Sequence, residues 1–215
     1  MESNIASIRK DYSQKALLEA EIKPDPIQQF GQWWQEATDA GIDEVNAMTL
    51  ATASADGLPS ARIVLLKGYS EKGFVFFTNY DSFKGKQLDE NPKACLVFFW
   101  KEVERQVRIT GFAQKISDRE NDEYFYSRPV ASQIGASISP QSQVIENRDW
   151  LVNEFKEFEK DKKKVASLKR PAHWGGYLVR PVMVEFWQGR PGRLHDRLEY
   201  SLKDSGEWKV ERLAP

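Results

Sequence analysis

The chain of 215 residues has a single cysteine, Cys95, and only two histidines, His173 and His195. One thiol cannot close an intramolecular disulfide, so the fold must rest on its core. Cys95 lies within Ala94-Cys95-Leu96-Val97-Phe98-Phe99-Trp100 and reads as a small core residue. Two histidines and one cysteine write no zinc site of ordinary spacing, and no metal is expected. No apolar run nears the ~18 residues of a membrane span, and residues 1–15 are polar, without an apolar signal core. With the cysteine usage, these absences lead to the expectation of a cytoplasmic protein with no membrane partner. Excess charge of one sign is missing too. The 31 basic residues face 32 acidic ones, for a formal net charge of −1, which argues against a dedicated nucleic-acid binder. Gly-x-Gly-x-x-Gly, the P-loop spacing and Gly-x-Ser-x-Gly are all absent. No Rossmann dinucleotide site, P-loop or nucleophile elbow is therefore indicated.

Aromatic residues, by contrast, are plentiful, at 12% with seven tryptophans. That suits a tight core or a surface that stacks on a flat ligand. The length is that of one domain with a sizeable core. Residues 1–23 are polar and mixed in charge and read as a mobile arm or short helix, with residues 24–215 as one domain.

Asp25-Pro26 opens a helix as N-cap and first helical residue. Ile27, Phe30, Trp34 and Ala37 form its apolar face, and Gly41 follows its end. Strands are expected over 48–54, 60–67, 74–79, 93–100, 104–114, 177–187 and 208–213, with turns at 55–57 and 68–73. Helices are expected over 82–90, 118–127 and 147–160, and 127–142 reads as a long functional loop rich in Ser, Gln, Pro and Gly. Many strands with short connections point to an antiparallel barrel or sandwich.

Several segments carry chemistry. Arg193-Leu194-His195-Asp196-Arg197, six residues after Phe186-Trp187, gathers two guanidiniums, an imidazole and a carboxylate. Arginine forks suit phosphate or carboxylate, and histidine changes protonation near neutral pH. A solvated turn with ion pairs would use the same residues. Arg62-Ile63-Val64-Leu65-Leu66-Lys67 has a cation at each end. Strand alternation puts the two on opposite faces, unless Lys67 sits at a strand end or bulge. The turn from Thr78 to Lys86 offers hydroxyls, ammoniums and helix N-terminal amides, either as a phosphate cradle or as an ordinary capped helix start. Tyr124, Arg128 and Ser132 recur at intervals of four, which on a helix aligns a phenol, a guanidinium and a hydroxyl for a phosphomonoester. Gln106 could pair with the edge of a heterocycle or be merely solvated.

The joint order of these segments resembles the pyridoxamine 5′-phosphate oxidase family, flavin enzymes that make pyridoxal 5′-phosphate. The resemblance also rests on Phe77-Thr78-Asn79, Arg105-Gln106-Val107, Ser127-Arg128-Pro129, Ser132-Gln133-Ile134-Gly135-Ala136, Gln141-Ser142, His173-Trp174-Gly175-Gly176, Glu185-Phe186-Trp187-Gln188-Gly189 and the terminal Glu211-Arg212-Leu213-Ala214-Pro215. It implies a mainly β fold with peripheral α-helices, an FMN-binding split β-barrel, and a homodimer with FMN at the subunit interface. It implies FMN contacts from Arg62, Ile63, Val64, Leu65, Leu66, Lys67, Phe77, Thr78, Ser82, Lys84 and Gln106. Gln141, Ser142, Trp187 and Arg197 match further flavin contacts, partly from the partner subunit. Lys67, Tyr124, Arg128 and Ser132 match contacts to the substrate phosphate, and Arg9 and Tyr12 join the substrate set. Arg193 and His195 match catalytic groups over the pyridine ring.

One departure stands out. The family's Ser-Arg-Lys at the phosphate turn is Ser82-Phe83-Lys84 here, so a guanidinium contact to the FMN phosphate is missing. The implied reaction oxidises the 4′ carbon of pyridoxamine or pyridoxine 5′-phosphate with dioxygen as acceptor. Alternatives are another flavin or deazaflavin reductase on the same barrel, or a flavin- or pyridoxal-phosphate-binding protein without turnover.

Overall fold

The computed structural model describes residues 5–7 and 11–215. Among these residues, nine strands form one antiparallel sheet. They are β1 (Ala47–Ala53), β2 (Pro59–Leu65), β3 (Gly68–Ser70), β4 (Gly73–Asn79), β5 (Lys93–Trp100), β6 (Arg105–Lys115), β7 (Trp174–Gln188), β8 (Asp196–Leu202) and β9 (Trp208–Arg212). The order is β2-β1-β5-β6-β7-β4-β3, with β8 and then β9 added from β7. β7 holds the layout together. Its first half pairs with β4 over Trp174–Val179, and its second half pairs with β8 over Met183–Gln188. One long strand thus serves two curled halves, the split barrel implied by the resemblance. The register of β6 on β7 shifts between Thr110 and Gly111, where a Cβ on Gly111 would sit 2.0 Å from the Arg180 carbonyl oxygen.

The strands alternate as their sequences dictate. Leu96, Phe98 and Trp100 of β5 point inward with Val107 and Ile109 of β6 and Val184 and Phe186 of β7. Six α-helices among the described residues surround the sheet: α1 (Pro26–Asp39), α2 (Phe83–Glu90), α3 (Asp118–Ser127), α4 (Val130–Ile138), α5 (Arg148–Lys160) and α6 (Lys162–Ala166). Asp25 caps α1 by accepting from the Ile27 and Gln28 amides. Phe30 of α1 enters the core against Phe74 and Phe98, at 4.9 and 5.2 Å between centroids. Trp33, rather than Trp34 alone, completes that face, set edge-on to Phe186.

Some elements differ from the sequence expectation, among them the short α6, which Asp161 caps separately after α5. The stretch read as a long loop contains α4, because Gln133 and Ile134 bury one side of a helix that its serines disguise. β8 lies outside the expected strands, although Leu198 and Tyr200 alternate inward as a strand requires. The turn expected over 68–73 is a short hairpin of β3 on β4. Of the expected arm or short helix, residues 11–23 lie extended against the barrel, apart from turns near their end. The buried Glu104 carboxylate accepts from the Ser13 and Gln14 amides, and Asp196 accepts from the Leu17 amide. Arg212 clamps Glu19 through two nitrogens, at 2.6 and 2.8 Å. Arg9 lies outside the described residues.

Candidate active site

A cavity of about 710 Å³ opens between the end of β2, the end of β4, the α2 turn and the α3–α4 corner. Arg62, Ile63, Val64, Leu65, Lys67, Phe77, Thr78, Lys84, Tyr124, Arg128, Ser132 and Gln141 all line it. Asn79, Pro129, Gly135, Ala136, Ser139 and Trp174 complete the wall. β2 ends the sheet on this side, so one edge of its backbone is free to meet a planar heterocycle. Lys67 lies two residues beyond the end of β2. That break in alternation lets Arg62 and Lys67 reach the same cavity.

Two cations define one end. Lys84 Nζ donates to Thr78 Oγ1, Ser82 Oγ and Gln141 Oε1 at 3.2, 3.3 and 3.1 Å. Burial and the neighbouring Arg62 charge lower its pKa. Burial lowers that of Arg62 as well. Among the described residues no carboxylate lines the cavity, so two desolvated cations stand there without a counter-charge from them, the electrostatic signature of an anion site. Ser82 is fully buried as the N-cap of α2 and accepts from the Gly85 amide. The helix start packs this closely because residue 85 is glycine. A Cβ there would sit 2.1 Å from the Tyr80 carbonyl oxygen.

A second guanidinium marks the other end. Tyr124, Arg128 and Ser132 do not share a helix, since α3 stops at Ser127 and Arg128 is extended at φ −78° and ψ 153°. Pro129 disfavours helical geometry in the residue before it. The corner nevertheless brings all three side chains to the cavity. Arg128 Nη2 donates to the Ser132 carbonyl at 3.0 Å, while its buried Nη1 has no partner. Burial lowers this pKa too. The guanidinium carbon lies 4.6 Å from the Trp174 ring centroid, and Trp174, Phe77 and Tyr124 form a stack, with Phe77 and Tyr124 only 4.0 Å apart. Trp174 also belongs to this wall. No local signal marks it, because its place is fixed by pairing with Asn79 across β4 and β7.

The remaining expected residues fall elsewhere. Leu66 is buried in the core, and Ser142 follows Gln141 at a positive φ of 69° without lining the cavity. Gln106, Trp187, Arg193, His195, Arg197 and Tyr12 gather around the β6–β7–β8 edge. Gln106 and Trp187 face each other in register, as do Trp187 and Arg197. His195 lies 4.7 Å from the Trp187 ring and 5.9 Å from Tyr12. Its Nδ1 accepts from the Arg190 amide at 3.1 Å, which leaves the neutral ring's proton on Nε2. Arg193 holds a left-handed φ of 63° directly after Gly192 at the same value, a backbone cost that clusters at functional sites. Arg197 forks onto the buried Glu185 carboxylate at 3.0 and 3.1 Å. None of these six residues lines the cavity.

Residues 34–160 match the family described as pyridoxamine 5′-phosphate oxidase. The chain belongs to that family. Residues 174–215 match its pyridoxine 5′-phosphate oxidase C-terminal dimerisation region, the segment that carries Trp187, Arg193, His195 and Arg197. The protein named pyridoxine/pyridoxamine 5′-phosphate oxidase in Trichormus variabilis is 52% identical over 215 residues, covering 100% of both chains. Its namesake in Salinibacter ruber is 51% identical over 99% of this chain and 100% of its own. Among solved structures, PhzG from Burkholderia lata 383 in complex with tetrahydrophenazine-1-carboxylic acid superposes with a TM-score of 0.86. It is 31% identical and covers 94% of this chain and 100% of its own. A pyridoxamine 5′-phosphate oxidase-related, FMN binding protein from Nostoc punctiforme has the same fold, at a TM-score of 0.72 and 18% identity, over 90% of this chain and 100% of its own.

Proposed function

We propose that this protein is an FMN-dependent pyridoxine/pyridoxamine 5′-phosphate oxidase that works as a homodimer. One observation carries the reading: a single cavity with desolvated, unpaired guanidinium or ammonium groups at both ends and an aromatic wall between. Two phosphates and two flat rings satisfy that layout.

The residues present fit FMN. Arg62 and Lys84 would hold its phosphate with the Thr78 hydroxyl, and the free backbone edge at Ile63–Leu65 would meet the polar rim of its ring. Arg128, Ser132, Tyr124 and Lys67 would hold the substrate phosphate. When bound, FMN supplies the redox chemistry, accepting a hydride equivalent from the substrate 4′ carbon and returning the electrons to dioxygen as hydrogen peroxide. The protein's part is orientation, exclusion of water and placement of charge. With the amine substrate, water hydrolyses the resulting imine and releases ammonia.

Arg193 and His195 are assigned to the pyridine ring: Arg193 to orientation and charge stabilisation, His195 to orientation through its Nε2 proton. Neither lines the cavity of its own chain, so in this reading a second copy supplies them, with Trp187, Arg197 and Gln106. The match of residues 174–215 to a dimerisation region supports this. Ser82 supports Lys84 and the helix start rather than meeting ligand directly.

Purified protein is expected to be yellow and to release FMN, not FAD, on denaturation. Adding pyridoxamine 5′-phosphate in air should form pyridoxal 5′-phosphate and hydrogen peroxide in equal amounts. A colourless protein indifferent to FMN would overturn the flavin assignment. Flavin reduction without peroxide would favour a reductase on the same barrel, and bound flavin with no reduction a carrier.

A further inference from the structure

α2 bears on the anion end of the cavity in two ways, one direct and one through Arg62. Its first turn supplies Lys84, and its buried side supplies Gln87, which is 3% exposed and does not line the cavity. We propose that Gln87 is a positioning residue that holds the Arg62 fork in place for the flavin phosphate. The inference rests on the FMN reading above.

The argument is a proton count. Arg62 Nη1 donates to Thr52 Oγ1 at 2.6 Å and Nη2 to Ser60 Oγ at 2.6 Å. Both hydroxyls must therefore present lone pairs to the guanidinium. A hydroxyl has one proton and can present a lone pair steadily only when that proton is engaged elsewhere. Gln87 Oε1 engages both, accepting from Thr52 at 2.6 Å and from Ser60 at 2.7 Å. One buried oxygen thus sets the direction of two hydroxyls, and these grip the two arms of one guanidinium.

No carboxylate pairs with Arg62 among the described residues, so the hydroxyls and the Leu50 carbonyl, at 3.2 Å, are what orient it. Remove Oε1, and the hydroxyls, 3.4 Å apart, are free to turn their protons toward each other and loosen the fork. The other end of the amide gains nothing, since Gln87 Nε2 is buried without a partner. An unmet buried donor costs stability, so the amide's favourable contacts are those its oxygen makes to the hydroxyls that carry Arg62.

The test is a double-mutant cycle read by FMN affinity. Apo-protein is titrated with FMN by quenching of flavin fluorescence for wild type, Gln87→Met, Thr52→Val with Ser60→Ala, and the combined variant. Gln87→Met should weaken FMN binding about three- to tenfold in the native background. With both hydroxyls gone, the same substitution should change Kd by less than about twofold, because its route to Arg62 is removed. Riboflavin, which has no phosphate, should lose less affinity than FMN does. If Gln87→Met does not fold, Gln87→Asn retracts the amide by one methylene and should show the same pattern. Equal losses in both backgrounds, or for FMN and riboflavin alike, would mean that Gln87 only supports the fold. Unchanged FMN affinity in Gln87→Met would also overturn the inference. Failure of wild type to bind FMN, or indifference of FMN affinity to Arg62→Ala, would instead locate the fault in the flavin reading.

Discussion

The Arg128 guanidinium sits over Trp174, 4.6 Å from the ring centroid, and the two residues come from segments 46 positions apart. Trp174 gives the cation a face to rest on and screens one side from water, which leaves Nη1 directed to no protein acceptor. Replacing Trp174 by Leu keeps an apolar wall and removes the aromatic face. A cation–π contact at a partly desolvated site is worth about 0.5–2 kcal/mol. The KM for pyridoxamine 5′-phosphate should therefore rise roughly two- to thirtyfold. Steady-state kinetics at saturating FMN checks this, and an unchanged KM would remove Trp174 from the substrate end.

The composite site makes a complementation prediction. In the proposed dimer, Arg128→Ala would break the cavity end and Arg193→Ala the group that a second copy would lend. Alone, Arg193→Ala should lower kcat/KM by about 10- to 150-fold with FMN retained, the value of a charged hydrogen bond in a buried site. Random pairing of the two variant chains makes about half the dimers mixed, each with one intact site of two, so about a quarter of wild-type activity should return. A mixture no more active than the sum of its parents would place both residues in one chain's site.

Phe83 occupies the first helical position of α2 and is 55% exposed. It is not a core residue of this chain, so Phe83→Arg should fold. The new guanidinium would stand beside Lys84 at the phosphate end and tighten FMN by roughly two- to thirtyfold, more at low salt than at high. Titration at two ionic strengths tests it. Unchanged or weaker binding would mean that Phe83 is covered by the second copy or that Lys86 already serves.

Glu36 joins α1 to the barrel floor, pairing with Arg105 at 2.9 Å and Lys15 at 2.7 Å. Burial opposes its charge, but the Lys15 and Gln32 hydrogen bonds and the Arg105 charge prevail, lowering its pKa from 4.5 to about 2. A depressed carboxylate stabilises the fold above its unfolded pKa, and that contribution fades as pH falls from 4.5 toward 2. Glu36→Gln leaves Arg105, 3% exposed, without its carboxylate. The cost should be about 2–4 kcal/mol at pH 7, shrinking steadily below pH ~4.5. Urea unfolding of both proteins across pH 7 to 3 measures it, and a gap that stays constant with pH would exclude the ion pair as its source.

Much of this protein can be read from its chain because much of it is local. Period-two alternation marks β5 and β6, Asp25-Pro26 starts α1, and Ser82 caps α2; each depends on neighbours a few residues away. The cation-flanked Arg62–Lys67 stretch and the Tyr124-Arg128-Ser132 series announce anion chemistry by residue type alone. What the chain could not decide were the relations made across the sheet. Pro129 breaks the helix that would have aligned Tyr124 with Ser132, and only the α3–α4 corner returns them to one wall. Trp174 reaches Arg128 because β7 pairs with β4, a register set by hydrogen bonds between strands about a hundred residues apart. The Arg193–Arg197 cluster does not line the cavity of its own chain, although its residue types suit an anionic ligand. Local propensity acts over a turn or a strand, whereas the geometry of a site depends on how strands far apart in sequence pair and curl.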